Sequence, residues 1–347
     1  MFNCGVTKNS SATIIVKMLD TFKYTLTPML YLFICIVIGF TLRRTKILPE
    51  NSGRVMARLE TWVFCPALSF MAMATYFRRD TVAKHATNIV LSVILMSIAL
   101  VIAIILARVF VPEKCYDRGV YSYALMFGNF GFLGDALVLA IFDASVFSYY
   151  KLFSLPLSIL CYVWGISILV PKKEGENGIK EIFKKVFNPP TVALLLGIIV
   201  GITGAVDYMP EFATMTLDSL KSCMGPVAML LAGFTVAGYP LKRMLKKKKV
   251  YFATVLRLIV LPAVLIAALF GILKLAGLLG ITLSYSVLAF AFFAYAAPLG
   301  LNTVVFPEAY GGDPETGASM AIISHTLCVI TIPVMYTVLT CIFGNIV

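Results

Sequence analysis

The feature that most constrains this chain is a succession of apolar runs, each about as long as a bilayer is thick. A membrane-crossing helix needs roughly 20 apolar residues. Ten runs of that kind can be read, at about 24–42, 55–76, 88–110, 119–141, 147–170, 189–206, 216–238, 250–273, 281–305 and 317–343. Only 13% of the residues are Asp, Glu, Lys or Arg, against about 25% in a soluble domain. So few charges cannot cover a water-facing surface. The expected class is therefore an all-α integral membrane protein embedded in a lipid bilayer.

This class changes the meaning of the net charge of +12. In a soluble chain it would suggest nucleic acid. Here the basic residues cluster between apolar runs, so they read as topology signals, and no nucleic-acid partner is expected. With the N-terminus outside, the cytoplasmic connections hold RRTK (43–46), Arg108, Lys114 and Arg118, the lysines 172, 173, 180, 184 and 185, and KRMLKKKK (242–249). FRRD at 77–80 is the exception, basic yet outside. The balance predicts a multi-pass protein of the cell membrane with both termini extracytoplasmic. The lysines 246–249 are expected to meet anionic lipid. Residues 1–18 show no signal peptide. The eight cysteines include no C-x-x-C pair, and Cys35, Cys161 and Cys328 fall inside apolar runs. They read as small buried hydrophobes, so no metal site, disulfide or cofactor is expected.

The connection 171–188 is the longest and divides the runs five and five. With an odd number in each half, the second half enters from the opposite side, the geometry of an inverted repeat. The predicted organisation is a first repeat over 1–170, a cytoplasmic linker over 171–188 and a second repeat over 189–347. CPALSFMAMA from Cys65 shares Pro and Ala positions with GPVAMLLAGF from Gly225. FLGDALV from Phe132 shares Leu-Gly and Val with PLGLNTV from Pro298.

The fourth and ninth runs carry the chemistry. GNFGFLGD (128–135) and YAAPLGLNTVVFPEAYGGD (295–313) place helix-weakening residues mid-run beside an Asn. Pro298 removes a backbone donor, and each glycine weakens a helix by up to about 1 kcal/mol. Irregular backbone at membrane depth survives only where protein or a water-filled cavity satisfies it. Interrupted segments at matching places in two halves point to a transporter's binding site. Their half-helix N-termini favour an anion. The candidate substrate-binding residues are Asn129, Gly131, Gly134, Pro298, Asn302 and Thr303. Close helix packing is the competing reading of the glycines.

Asp135 sits in the same stretch. A charged Asp at a span centre costs about 2.5–3.5 kcal/mol on insertion scales, and a functional role is the default. It can carry a coupled proton or select charge on the substrate. The alternative is a wetted span end, or a structural pair with Arg257 or His325. His325 titrates in a range suited to proton coupling but also fits a packing role. Arg257 is expected to snorkel to the headgroups.

The segment 296–339, AAPLGLNTVVFPEAYGGDPETGASMAIISHTLCVITIPVMYTVL, closely resembles the last two spans of the auxin efflux carrier family, which includes plant PIN-type exporters and bacterial malate- and malonate-type permeases. GNFGFLGDALVLAIF, the RRTKIL turn and FCPAL also fit that family. The YGGDPE turn and the helix with Ser324, Thr326, Thr331 and Pro333 are the most specific part. The resemblance implies ten helices as a 5+5 inverted repeat, like the bile-acid sodium symporters, with broken helices 4 and 9 crossing near the midplane. It also implies a scaffold of helices 1, 2, 6 and 7, often a homodimer interface, and a sliding transport domain of helices 3–5 and 8–10. Asn129 and the Gly131–Gly134 turn would line one side of the crossover, Pro298 and Asn302 the other. Two departures stand out. Family members often have Leu-Pro at Asp135-Ala136, and a small hydroxyl residue is common at His325.

The expected function is secondary transport of a small organic acid by alternating access, with a proton as the coupling ion and sodium left open. Gly134-Asp135 and Pro66-Ala67-Leu68 suggest an intramembrane aspartyl protease. But Phe132 breaks its G-x-G-D, Tyr116-Asp117 falls in a polar loop and PAL comes first, while a proton-sharing dyad needs two carboxylates. A ligand sensor on the same fold would carry a signalling domain, and a channel suits the paired breaks less well than an occluded site.

Overall fold

A computed structural model describes residues 9–79, 82–113, 115–169, 187–281, 283–304, 307 and 315–344. Lys114, Asp80, most of the 171–188 linker and the YGGDPE turn up to residue 314 lie outside the described residues. The described chain is helical without strands. Its elements are α1 (Asn9–Arg44), α2 (Ser52–Leu59), α3 (Cys65–Tyr76), α4 (Val82–Phe110), α5 (Tyr116–Met126), α6 (Asp135–Ile141), α7 (Ala144–Leu160) and α8 (Ile166–Leu169). After the linker come α9 (Pro189–Thr203), α10 (Glu211–Ala237), α11 (Leu241–Met244), α12 (Lys248–Val255), α13 (Leu261–Leu278), α14 (Val287–Tyr295) and α15 (Glu315–Phe343). Wide π turns join α2 to α3, α7 to α8 and α12 to α13 without ending the helical path.

Among the described residues, six helices are long and apolar enough to cross a membrane: Met18–Arg44, Ala86–Phe110, Ala144–Leu169, Glu211–Ala237, Lys248–Leu278 and Glu315–Phe343. The remaining apolar runs are shorter, interrupted or less apolar. The run at 55–76 is diluted by Glu60, Thr61 and Ser69. The run expected over 281–305 becomes helical only at Val287 and stops at Tyr295. The reason is local: Ser284 and Ser286 bond to each other ahead of the helix, and Pro298 forbids its continuation.

Helix ends follow local chemistry. At α9 the Asn188 side chain accepts from the Thr191 N–H at 3.1 Å, Pro189 and Pro190 open the helix, and Gly204 closes it with a φ of 75°. Two helix pairs dominate the packing: α1 with α10, and α3 with α9. In the first, a Cβ on Gly39 would collide with the Leu230 carbonyl, and one on Gly233 with the Ile36 carbonyl. Lipid is as apolar as a leucine side chain, so such close backbone approach, rather than hydrophobic burial, holds membrane helices together. A second body of packing joins α4 to α5 and α7, and α13 to α14. The core of large buried aromatics, Tyr123, Phe127, Phe147, Phe153, Phe292 and Tyr295, lies there, around the two interruptions.

Candidate functional site

The first interruption follows α5. Its helical path stops at Met126, and Phe127 turns extended with φ −111° and ψ 116°. Gly128 forms an isolated antiparallel bridge with Leu299. The Asn129 N–H donates to the Pro298 carbonyl at 2.6 Å. A π turn, Phe130–Gly134, then leads into α6. The second interruption follows α14. Pro298 has no N–H to satisfy, and the Leu299 N–H donates to the Ser324 hydroxyl of α15 at 3.1 Å. The helical path resumes at residues 302–304. Each break thus satisfies part of the other's backbone, which buried irregular chain must do.

The sequence reading sends Arg257 toward the headgroups. The structure overturns this. Arg257 is fully buried. Its guanidinium donates to the Leu125 carbonyl at 2.9 Å, to Met126 at 3.2 Å, to Ala294 at 3.3 Å and to Ala297 at 3.3 Å, and it lies 5.9 Å from the Tyr295 ring centroid. The physical reason is plain. An interrupted helix leaves its last carbonyls without partners and with a partial negative charge. One planar five-donor fork answers both broken ends at once. A Cβ on Gly128 would meet that guanidinium and the Ala297 carbonyl, so only glycine lets the crossover close.

Beside the crossover lies a cavity of about 80 Å³. Its wall takes Gly128–Gly131 from the first break and Gly300, Leu301 and Asn302 from the second. Cys65 and Ser69 of α3, Lys151 and Ser158 of α7, and Asn188 and Thr191 at the start of α9 also line it. Among the described residues, Lys151 is the sole charged side chain on that wall. Three helical beginnings face it: α9, the turn into α6 and the turn at 302–304. At α9 no N–H is left over, because Pro189 and Pro190 have none and the Thr191 N–H is held by Asn188.

Asp135 begins α6 and is fully buried. The sequence reading offers Arg257 or His325 as its structural partner. The structure places Lys151 there instead, with Nζ 2.5 Å from Oδ2, while Oδ1 has no hydrogen-bond partner among the described residues. His325 turns elsewhere. Its Nε2 meets the Asn129 side-chain amide at 3.0 Å and its Nδ1 meets the Ala321 carbonyl at 2.8 Å. An amide N–H on Nε2 requires the proton on Nδ1, which then donates to Ala321. Both ring nitrogens of a neutral imidazole are thereby engaged, and Asn129 is oriented.

The other sequence candidates separate. Asn129, Gly131 and Asn302 come together on the cavity wall. Asn302 donates to the Cys161 sulfur at 3.6 Å, and the Tyr123 hydroxyl stands 2.9 Å from the same sulfur. Pro298 is not on the wall; its carbonyl serves Asn129. Gly134 packs where a Cβ would meet the Tyr150 hydroxyl. Thr303 is fully buried, with its hydroxyl donating to the Gly300 carbonyl at 2.8 Å. The sequence reading passed over Lys151, although an ionisable residue inside an apolar run is the signal that finds such groups. The protease reading finds no dyad here. Asp117, at the start of α5, accepts from Thr316 at 3.1 Å, while Asp135 pairs with a lysine.

A family model described as "Membrane transport protein" matches residues 24–336. The chain belongs to this membrane transport protein family, that of the auxin efflux carriers. It is therefore a multi-pass membrane transporter and not an enzyme. The transporter is also 24% identical over 233 residues to an uncharacterized transporter of Methanocaldococcus jannaschii, a match covering 61% of this chain and 69% of that one.

Proposed function

We propose that this transporter is a secondary carrier that binds a small organic anion at the crossover and moves it by alternating access. The observation that carries this reading is the cavity wall itself: two side-chain amides, Asn129 and Asn302, and one charged group, Lys151. A carboxylate placed there meets amide donors and an ammonium. Asp135 holds that ammonium in place and limits its pull, so Asp135 serves charge selection. His325 serves position, by fixing the Asn129 amide. The pair also sets selectivity: a cation would face Lys151 directly and be repelled.

The architecture proposed for this work is ten membrane segments in a 5+5 inverted repeat, 1–170 and 189–347, joined by a cytoplasmic linker. The pairing of α1 with α10 and of α3 with α9 supports it, because the repeat exchanges the first pair for the second. The reciprocal bonds between the two breaks support the crossing of segments 4 and 9. In this reading segments 1, 2, 6 and 7 form the scaffold and homodimer interface, both termini are extracytoplasmic, and the Asp135 and Arg257 side of the molecule moves.

Proteoliposomes test the site. A thermal-shift screen of organic acids on purified protein selects the probe, and exchange of the labelled acid follows. Asn129→Ala and Asn302→Ala are each expected to raise the half-saturating concentration and to lower exchange. Full exchange in both variants refutes the crossover as the binding site.

A further inference from the structure

We propose that Glu60 is a proton-binding site buried in the membrane, and that its proton is the ion coupled to transport. The proposal rests on the carrier reading above. Glu60 opens the π turn between α2 and α3. It is fully buried, and among the described residues neither carboxylate oxygen has a hydrogen-bond partner. π turns inside α-helices gather at functional sites. This one continues directly into Cys65 and Ser69, which form part of the cavity wall.

Among the described residues, the surroundings offer the carboxylate no compensating charge. α9 and α10 pack against the π turn. α9 carries no ionisable residue, and the inner part of α10, Met224–Ala237, carries none either. The ionisable residues of α10 are Glu211, Asp218, Lys221 and Cys223, none of them buried. On its own segment, Arg54 and Arg58 are exposed. The remaining group is the Cys65 thiol, which lies within electrostatic reach of Glu60, Asp135 and Lys151 together. Lys151 is already taken by Asp135 at 2.5 Å.

Lys151 and Asp135 balance each other, so an ionised Glu60 would be an unbalanced negative charge away from water, which neither lipid nor packed protein tolerates. A proton on Glu60 removes that charge. A metal cation suits the place less well: hard cations collect several oxygen ligands, and among the described residues no three His, Cys, Asp or Glu side chains gather to hold one. A proton needs one oxygen. The other intramembrane candidates are already occupied, Asp135 by Lys151 and His325 by Asn129 and Ala321. When the wall formed by Cys65 and Ser69 shifts to admit water, the O–H of Glu60 breaks, the proton passes to water and the carboxylate keeps the electron pair.

Infrared spectroscopy of the full chain in lipid nanodiscs tests the site without any substrate. The wild type is expected to show, at neutral pH, the carbonyl stretch of a protonated carboxylic acid shielded from deuterium exchange. Glu60→Gln is expected to lose that band, and Asp135→Asn to keep it. A band that survives in Glu60→Gln, or that is missing from the wild type, overturns the proposal. Should Glu60→Gln fail to assemble, Glu60→Asp keeps the acid at shorter reach, and its band must shift in frequency; an unshifted band overturns the proposal equally. Malonate in proteoliposomes tests coupling. Glu60→Gln is expected to keep malonate exchange and to lose accumulation driven by a pH gradient, down to the level of empty liposomes. Gradient-driven accumulation equal to wild type overturns the coupling. Wild-type protein that exchanges no organic acid refutes the carrier reading, whereas the infrared band decides the proton site by itself.

Discussion

Replacing Arg257 by Met removes the group that ties the two broken helices together. Met fills a similar length of apolar space, so the change isolates the four hydrogen bonds to Leu125, Met126, Ala294 and Ala297, at 2.9–3.3 Å. Polar side-chain contacts inside membrane proteins contribute about 0.6 kcal/mol on average and up to about 1.7 kcal/mol, which makes the set worth about 2–7 kcal/mol. Dispensing with a buried charge offsets part of that. The expected net loss is about 2–4 kcal/mol of stability against unfolding. Arg257→Lys discriminates further. A lysine keeps the charge but offers three donors from one point, so it cannot span carbonyls on two separate helix ends. About half the loss should remain in the lysine variant. Reversible unfolding in mixed micelles measures the totals. Amide hydrogen exchange localises them, with faster exchange expected at Asn129, whose N–H bridges the breaks, and at Leu299, whose N–H ties the second break to Ser324 of α15. If both variants unfold within about 0.5 kcal/mol of wild type, the level of an ordinary surface change, then Arg257 does not hold the crossover. If Lys matches Arg while Met falls, charge alone matters and the fork geometry is irrelevant.

Two further outcomes follow from charges elsewhere in the chain. Lys151→Met leaves Asp135 buried without its cation; anion exchange is expected to vanish and stability to fall by about 3–5 kcal/mol, and the double variant with Asp135→Asn should recover stability without recovering exchange. Just past the ends of α3 and α9, Arg78 meets Asp207 with two bonds at 2.9 and 3.2 Å. The hydrogen bonds from Arg78 hold the Asp207 carboxyl below the usual carboxylate range. Its contribution is therefore present above the unfolded-state value and disappears as pH falls through the folded-state value. Melting curves taken across acidic pH should lose that component in Asp207→Asn; an unchanged pH profile would refute the pairing in solution.

Much of the site was legible because its causes are local. Gly128, Gly131, Gly134 and Pro298 weaken or forbid regular helix wherever they stand, and the chain leaves the helical path at Phe127 and again at Ala296. Asn129, Gly131 and Asn302 were marked by their places beside those breaks, and all reach the cavity. Thr303 was marked by the same adjacency, but its hydroxyl turns back on Gly300, a choice of rotamer that sequence spacing does not carry.

Composition and the length of the apolar runs by themselves determined that this chain lives in a membrane, because the balance of apolar and charged residues decides which solvent it can face. Residue type also determined where the backbone gives way, since helix breaking is a property of one or two residues. Partner choice belonged to the tertiary structure alone. Asp135 finds Lys151 sixteen residues away in sequence, Arg257 finds carbonyls more than a hundred positions upstream, and Glu60 finds none among the described residues. A buried charge is answered by whichever group the packing of neighbouring helices brings within about 3 Å. That distance is set by how the helices cross.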